Sequence, residues 1–309
     1  EAAAHVVYQS FQATPQYRWG TLSQRLGAHC WVKHENHTPV GAFKIRGGLT
    51  YFDRLKARGE LPREVISATR GNHGQSIALA AARVGIAATI VVPRGNSVEK
   101  NAAMRAFGAE LIEEGHDFDA ARETAMRLAG ERGLSMVPSF HRDLVRGVAT
   151  YALEFFRATP ALDTVYVPIG LGSGICGVIA VRDVLGLSTK VVGVVSTEAP
   201  AYALSFAAGK VVATNSADTM ADGMAVRGPD AEALAMICTG AERIVQVNDA
   251  EIAIAMRAYY EDTHQLTEGA GAASLAALMQ ERDRQAGKRI GLILSGGNID
   301  RPLYLRALA

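Results

Sequence analysis

Short apolar runs rich in β-branched residues alternate with longer amphipathic stretches along nearly the whole chain of 309 residues. This alternation is typical of parallel strands joined by crossover helices, so it predicts the α/β fold class. Nine runs are predicted to be strands, at residues 31–34, 65–69, 88–93, 110–114, 135–140, 164–169, 190–196, 243–247 and 289–295. Helices are predicted at residues 72–84, 98–107, 118–132, 144–157, 175–185, 249–263 and 269–282. This number of strands suits two sheets.

Composition argues against several classes of protein. The chain has 32 Lys and Arg against 31 Asp and Glu, so it lacks the basic excess of a nucleic-acid-binding protein. No apolar run is long enough to span a bilayer, and the first residues do not resemble a secretion signal, so we expect no membrane association. The three cysteines, Cys30, Cys176 and Cys238, are widely spaced and suggest neither a disulfide framework nor a zinc site. A cytoplasmic location is therefore expected.

Two distant segments together suggest a cofactor. Lys44 lies in residues 41–48 (GAFKIRGG), where small and apolar neighbours would lower the pKa of its ammonium group and free the amine to attack an aldehyde. Residues 170–174 (GLGSG) follow a predicted strand and open a predicted helix, where backbone N–H groups can bind a phosphate. An amine and an anion cradle suggest pyridoxal phosphate. The alternatives are a solvated lysine and a dinucleotide-binding turn, although such a turn usually lies in the first βαβ unit.

Three further segments place polar residues at predicted strand ends or helix starts. Residues 67–75 (SATRGNHGQ) run from a strand into a helix, and the N–H groups at such a helix start favour a carboxylate or phosphate. Residues 267–271 (TEGAG) open a helix, and residues 294–300 (LSGGNID) close an apolar strand. Each segment also has an ordinary interpretation, in which its polar residues are only helix caps, first-turn residues or exposed turn residues: Asn72, His73, Glu268 and Ser295.

Taken in this order, the segments resemble those of the fold-type-II pyridoxal-phosphate enzymes, and within them the branch of serine/threonine dehydratases and serine racemases. The resemblance covers nearly the whole chain. It implies a homodimer of two-domain subunits, in which each domain is an open, mostly parallel twisted sheet flanked by helices. We expect a large cofactor-binding domain at residues 1–48 and 146–309, and a smaller substrate-closing domain at residues 49–145.

The resemblance also implies roles for individual residues. Lys44 would bind the cofactor covalently and Glu268 would lie beside its ring, so these are the expected catalytic residues. Ser295 would face the pyridine nitrogen, where a hydroxyl, unlike a carboxylate, leaves that nitrogen largely unprotonated. The expected cofactor contacts are Phe43, Lys44, Asn72, Gly170, Gly172, Ser173, Gly174, Gly223 and Ser295. The expected substrate contacts are Thr69, Arg70, Gly71, Asn72, His73, Ser139 and Phe140.

The implied reaction is removal of water from a β-hydroxy-α-amino acid to give a 2-oxo acid and ammonia. Threonine or serine is the family default, Arg70 suggests a second carboxylate as in 3-hydroxyaspartate, and Phe140 suggests an aromatic group as in 3-phenylserine. A surface ion pair for Arg70 and a core position for Phe140 are equally open. A racemase, a β-replacing synthase and a non-catalytic small-molecule binder are the alternative functions.

The chain departs from the family pattern at positions that matter for function. Arg70 stands where many relatives have serine or alanine. In the racemases that serine reprotonates the substrate, and an arginine does not readily do so because it stays protonated. Racemase activity is therefore disfavoured. Relatives with a divalent-metal site have carboxylates near the positions of Val195 and Ala201, and Glu198 is out of step with both, so no metal site is expected. The chain stops shortly after Ser295, so we expect no C-terminal regulatory domain.

Overall fold

The structure is a computed structural model that describes residues 1–309. The helices are Ala2–Tyr8 (α1), Gly20–Leu26 (α2), Lys44–Arg58 (α3), Asn72–Arg83 (α4), Val98–Ala106 (α5), Phe118–Arg132 (α6), Arg142–Ala158 (α7), Ser173–Val184 (α8), Ala201–Ala208 (α9), Ala231–Gly240 (α10), Asp249–Thr263 (α11), Gly269–Gln280 (α12) and Arg301–Leu308 (α13). The strands are Gln16–Arg18 (β1), His29–His34 (β2), Glu64–Ala68 (β3), Ala87–Val92 (β4), Glu110–Glu113 (β5), Ser135–Met136 (β6), Thr164–Pro168 (β7), Lys190–Ser196 (β8), Arg243–Val247 (β9) and Arg289–Leu294 (β10). No helix is both long and apolar enough to cross a bilayer.

The strands form two separate sheets. The larger has six strands in the order β1-β2-β10-β7-β8-β9, and only the edge strand β1 is antiparallel to its neighbour. The smaller has four parallel strands in the order β5-β4-β3-β6. The α/β class and the mostly parallel sheets are therefore confirmed. All strands of the smaller sheet lie between Glu64 and Met136, and the domain limits given above stay a prediction.

Helices cover both faces of the larger sheet, which explains why its central strands are almost continuously apolar. Along β7, Val165 and Val167 belong to one buried cluster, while the intervening Tyr166 belongs to another on the opposite face. The same alternation separates Ile293 from Leu292 on β10. Burial on both faces fixes the register of each strand, because a shift of one residue would exchange the two faces.

Several predicted elements need correction. The strand predicted at residues 135–140 ends at Met136, since Pro138 lacks the N–H group that would continue the ladder. The edge strand β1, of only three residues, was not predicted. Six helices were also missed: α1, α2, α3, α9, α10 and α13. All seven helices that were predicted are present with ends within about two residues of the prediction, and those at residues 118–132 and 249–263 have the predicted ends.

Candidate active site

One cleft collects residues from the ends of strands in both sheets. Its empty volume, counted out to open solvent, is about 810 Å³. The strands β3, β7 and β10 end at the cleft, since Ala68, Pro168 and Ser295 all line it. The lining includes most of the expected site residues: Phe43, Lys44, Thr69, Arg70, Gly71, Asn72, His73, Ser139, Gly170, Gly172, Ser173, Gly174, Gly223, Glu268 and Ser295.

Lys44 presents its amine inside this cleft. It is the first residue of α3, and its Nζ donates a hydrogen bond to Ser173 Oγ at 3.1 Å and lies 5.0 Å from the ring centre of Phe43. No carboxylate forms an ion pair with it, so burial lowers the pKa of Lys44 to about 8. A pKa near 8 leaves about a tenth of this amine uncharged at pH 7 and about half at pH 8, and the uncharged form is the one that attacks an aldehyde.

The glycine turn after β7 offers a row of free donors beside the amine. Backbone N–H groups of residues 170–175 make no hydrogen bond within the chain, and this turn leads directly into α8. Gly172 has a φ of 100°, which favours glycine. A side chain at Gly170 would place its Cβ only 2.3 Å from the carbonyl oxygen of Gly223. These features form an anion-binding cradle at a helix N-terminus.

A second set of free donors follows β3. Thr69 Oγ1 accepts hydrogen bonds from the N–H groups of Gly71 and Gly74, at 2.8 and 3.2 Å, while those of Asn72 and His73 have no partner within the chain. Gly71 has a φ of 155°, and a Cβ there would lie 2.3 Å from Cδ of Lys100. The turn is thus suited to bind a small anion such as a carboxylate.

Asn72 and His73 are not the helix cap and solvated residue of the ordinary interpretation. Asn72 Nδ2 donates to Glu268 Oε1 at 2.6 Å, and Asn72 Oδ1 accepts from Asn298 at 2.9 Å, while Gly71 occupies the cap position. His73 is buried, which lowers its pKa to about 3, so its ring is neutral. Its Nε2 is buried without a hydrogen-bond partner.

Glu268 belongs to a buried charge cluster that also includes Lys100 and Asp222. Lys100 Nζ lies 2.6 Å from Asp222 Oδ2 and 3.1 Å from Glu268 Oε2, and the lysine side chain is only 4% exposed. Burial raises the pKa of Glu268, and the Lys100 ammonium opposes this rise. All three residues line the cleft. Sequence reasoning missed Lys100, because its pairing with two carboxylates far along the chain leaves no local pattern.

Ser295 and Ser139 both reach the cleft, whereas Phe140 does not line it. Ser295 is 4% exposed rather than an exposed turn residue, and its carbonyl accepts a hydrogen bond from the N–H of Phe43 at 3.0 Å. Ser139 Oγ donates to the carbonyl of Ala68 at 3.4 Å. Phe140 is 9% exposed and belongs to the same apolar cluster as Val148, so the core interpretation holds and its predicted substrate contact has no support.

Arg70 lines the cleft with a half-buried side chain. It forms no ion pair with a carboxylate, and its Nε is buried without a hydrogen-bond partner. The surface ion pair considered for this residue is therefore absent from the structure.

The donor set of the cleft fits pyridoxal phosphate. Lys44 supplies an amine for the aldehyde, and the free N–H groups of residues 170–175 suit a phosphate dianion. Lys44 also reaches Ser173 within that turn, so the amine and the cradle are adjacent. The ring of Phe43 lies near Gly174, since a Cβ at Gly174 would be in ordinary van der Waals contact with that ring, at 3.6 Å.

Comparison with known proteins agrees with this arrangement. The chain is 36% identical over 280 residues to an L-threonine ammonia-lyase of Geobacter sulfurreducens, covering 90% of this chain and 69% of that protein. It is 30% identical over 303 residues to an L-threo-3-hydroxyaspartate ammonia-lyase of Saccharomyces cerevisiae, covering 98% and 93%. Its fold matches the processed form of threonine deaminase isoform 2 from Solanum lycopersicum with a TM-score of 0.90 and 31% identity, over 97% of this chain and 88% of that one.

The family model described as pyridoxal-phosphate dependent enzyme matches residues 7–296. This match extends across both sheets and includes the lysine, the glycine turn and the charge cluster. The chain belongs to the family of pyridoxal-phosphate dependent enzymes, with the fold-type-II architecture.

Proposed function

We propose that the protein is an ammonia-lyase that removes water from a β-hydroxy-α-amino acid and releases a 2-oxo acid and ammonia. The observation that carries this proposal is the position of Lys44, a buried amine of lowered pKa adjacent to the free donors of the glycine turn. Both similar ammonia-lyases reported above remove an amino group from β-hydroxy amino acids, which supports the same class of substrate.

Lys44 is the proposed base for the α-proton. When bound, pyridoxal phosphate supplies the electron sink that stabilises negative charge on the α-carbon. The amine of Lys44 is the one basic nitrogen of the lining with a pKa near 8, because Lys100 is held charged by two carboxylates and His73 is neutral with a pKa far below 7. A base whose pKa lies near the working pH transfers protons efficiently in both directions.

The turn between β3 and α4 is the proposed site for the α-carboxylate of the substrate. Its free N–H groups, on Asn72 and His73, lie at the positive end of α4. The neutral ring of His73 adds no charge of its own and can donate one further hydrogen bond. Fixing the α-carboxylate in this way orients the α-carbon toward one face of the cleft.

Glu268 and Asn72 are proposed to orient the reacting groups. Two hydrogen bonds orient the Asn72 side chain: it donates one to Glu268 and accepts one from Asn298. Lys100 favours the ionised form of Glu268, while burial favours the neutral form. Glu268 can therefore accept or hold a proton at Oε1 or Oε2 within the cleft.

Replacement of Lys44 tests the proposed function. We expect Lys44→Ala to lose the visible absorbance of bound cofactor and to release no measurable 2-oxo acid from a panel of β-hydroxy amino acids, because the amine is lost. Lys56→Ala, which removes an exposed lysine from the same helix, is the matched control and should keep both properties. A Lys44→Ala protein that still eliminates water at an undiminished rate would refute the assignment.

The same panel separates the alternative functions. A β-replacing synthase should prefer an activated leaving group such as acetate and should be intercepted by added thiols. A racemase should interconvert enantiomers without releasing a 2-oxo acid. A non-catalytic binder should show no absorbance from a cofactor bound to Lys44.

We also propose that the active form is a homodimer in the cytoplasm. The dimer is suggested by the family resemblance alone, and light scattering of the purified protein tests it. The absence of disulfides is compatible with a reducing compartment, since Cys30, Cys176 and Cys238 are all free thiols.

A further inference from the structure

The charged side chains of the cleft are almost completely paired with one another. Asp222 and Glu268 share the ammonium group of Lys100, with N–O distances of 2.6 and 3.1 Å. Lys44 has a pKa lowered to about 8 and is committed to the cofactor. Arg70 supplies the one guanidinium of the lining, and it has no carboxylate partner.

A second, polar cavity that Arg70 also lines does not supply the missing partner. Arg70 lines this second cavity together with Lys100, Asp222, Glu268 and Asp300. The Asp300 carboxylate is already engaged, since it accepts hydrogen bonds from Ser97 Oγ at 2.5 Å and from the N–H groups of Val98 and Glu99 at 3.2 Å each. Every carboxylate that faces the cavity is therefore taken by another group.

A buried guanidinium nitrogen without a hydrogen-bond partner is costly to keep. The buried Nε of Arg70 has lost its water without gaining a hydrogen bond. The planar guanidinium can donate two parallel hydrogen bonds to one carboxylate, which recovers this cost when such a ligand binds. Because only Gly71 separates Arg70 from the free donors of Asn72 and His73, a ligand bound there by one carboxylate has a second anion site within reach.

We propose that Arg70 binds a second carboxylate of the substrate, and that the natural substrate is a β-hydroxy aminodicarboxylic acid of the 3-hydroxyaspartate type. The inference rests on the proposed function for the reaction itself. No bond of the second carboxylate changes in that reaction. The α C–H bond breaks and its proton goes to Lys44. The Cβ–O bond then breaks, and the hydroxyl group takes a proton and leaves as water. Later hydrolysis consumes one water and releases ammonia and oxaloacetate.

Substrate preference in matched variants tests the role of Arg70. We expect Arg70→Ala to lower kcat/KM for 3-hydroxyaspartate by roughly 30-fold or more, and to change kcat/KM for threonine and 3-phenylserine little, because only the first substrate loses a charge-assisted hydrogen bond. The kcat/KM of Arg70→Lys for 3-hydroxyaspartate should lie between those of the parent and Arg70→Ala, since lysine keeps the charge but cannot donate two parallel hydrogen bonds to one carboxylate. Arg94→Ala, which removes an exposed guanidinium outside the cleft, is the control.

The ratio of the losses for the different substrates decides the outcome. General damage to the site would reduce all three activities equally and would overturn the proposal. A parent enzyme that prefers 3-phenylserine or threonine over 3-hydroxyaspartate would also overturn it, while leaving the ammonia-lyase function intact.

A binding measurement makes the inference independent of turnover. Malate and 2-hydroxybutyrate have the same carbon chain, differ in the second carboxylate, and lack the amine needed for reaction with the cofactor. We expect malate to raise the melting temperature of the holoenzyme more than 2-hydroxybutyrate, and Arg70→Ala to abolish the difference. Equal shifts by the two acids in the parent protein would refute the second carboxylate site. If no amino acid on the panel reacts, the proposed function fails, and this comparison still decides on Arg70.

Discussion

Lys100 offers a demanding test of the charge cluster, because replacing it leaves two carboxylates in the cleft without their shared cation. The change is Lys100→Met, which keeps a side chain of similar length. Breaking a buried ion pair by removing one partner costs about 3–5 kcal/mol, since the remaining charge stays buried. The 4% exposure of Lys100 and its two short contacts place it in this class. We therefore expect a loss of about 3–5 kcal/mol in the free energy of unfolding at pH 8.

The loss should depend on pH in a direction set by Glu268. Its pKa is raised in the folded protein by burial, and Lys100 opposes that rise, so removing Lys100 raises the pKa further. A carboxyl group with a raised folded pKa contributes stability that is full below its unfolded pKa and is lost as pH rises through the folded pKa. Between the folded pKa of the parent and the higher one of the variant, the extra destabilisation should grow by about 1.4 kcal/mol per pH unit.

Urea unfolding of the holoenzymes at pH 5 and pH 8 measures this effect. Lys190→Met is the matched control, because Lys190 lies 3.1 Å from Glu242 but its side chain is 58% exposed. An exposed ion pair should contribute no more than about 1 kcal/mol to the free energy of unfolding, and Lys190→Met should show no comparable pH dependence. The reasoning is refuted if Lys100→Met loses no more stability than Lys190→Met, or if its loss is larger at pH 5 than at pH 8.

Two other predictions concern the cofactor face and metal dependence. Ser295→Asp should slow elimination, because a carboxylate at this cleft position would favour protonation of the pyridine nitrogen and shift the partition between reactions. Ser295→Ala is the control and should not slow elimination. An unchanged rate and partition in Ser295→Asp would argue against contact between residue 295 and the ring. We expect activity to survive extensive treatment with a chelator, because the family resemblance suggests that Val195 and Ala201 stand near the positions of metal-binding carboxylates. Activity that is lost to the chelator and restored by magnesium or calcium would contradict this expectation.

The sequence predicted the parallel sheets well, because their strands are buried on both faces and read as continuous apolar runs. It failed where tertiary contacts override local preference. Helix α3 contains Gly47 and Gly48, which disfavour a helix, yet both are needed for close packing. A Cβ at Gly48 would lie 2.4 Å from Ser76 Oγ, and one at Gly47 would lie 3.0 Å from the carbonyl oxygen of Leu144. Such contacts with distant segments leave no periodic signal.

Within the site, local sequence motifs identified those residues that act through their own backbone N–H groups or through a single side chain. The glycine turn and Lys44 are of this kind, since each is recognisable from a few adjacent residues. The charge cluster is not, because Lys100, Asp222 and Glu268 are brought together only when the two sheets face each other. Sequence reasoning therefore left a surface ion pair open for Arg70 and did not identify Lys100 as the partner of these carboxylates.

The pairing of Lys100 changes what Arg70 can do. Had Arg70 been the partner of Asp222 or Glu268, its charge would have been neutralised and a substrate carboxylate would have had to compete with them. Because Lys100 serves both carboxylates, the cleft keeps one uncompensated guanidinium beside a turn with free N–H donors. Lys100 and Arg70 thus have separate electrostatic roles, one within the protein and one toward a ligand. If this separation is correct, Lys100→Met should free the Asp222 carboxylate to attract Arg70, so the variant should lose preference for 3-hydroxyaspartate over threonine even though Arg70 is unchanged. A Lys100→Met enzyme with reduced stability but an unaltered ratio of kcat/KM for these two substrates would show that Arg70 does not depend on Lys100.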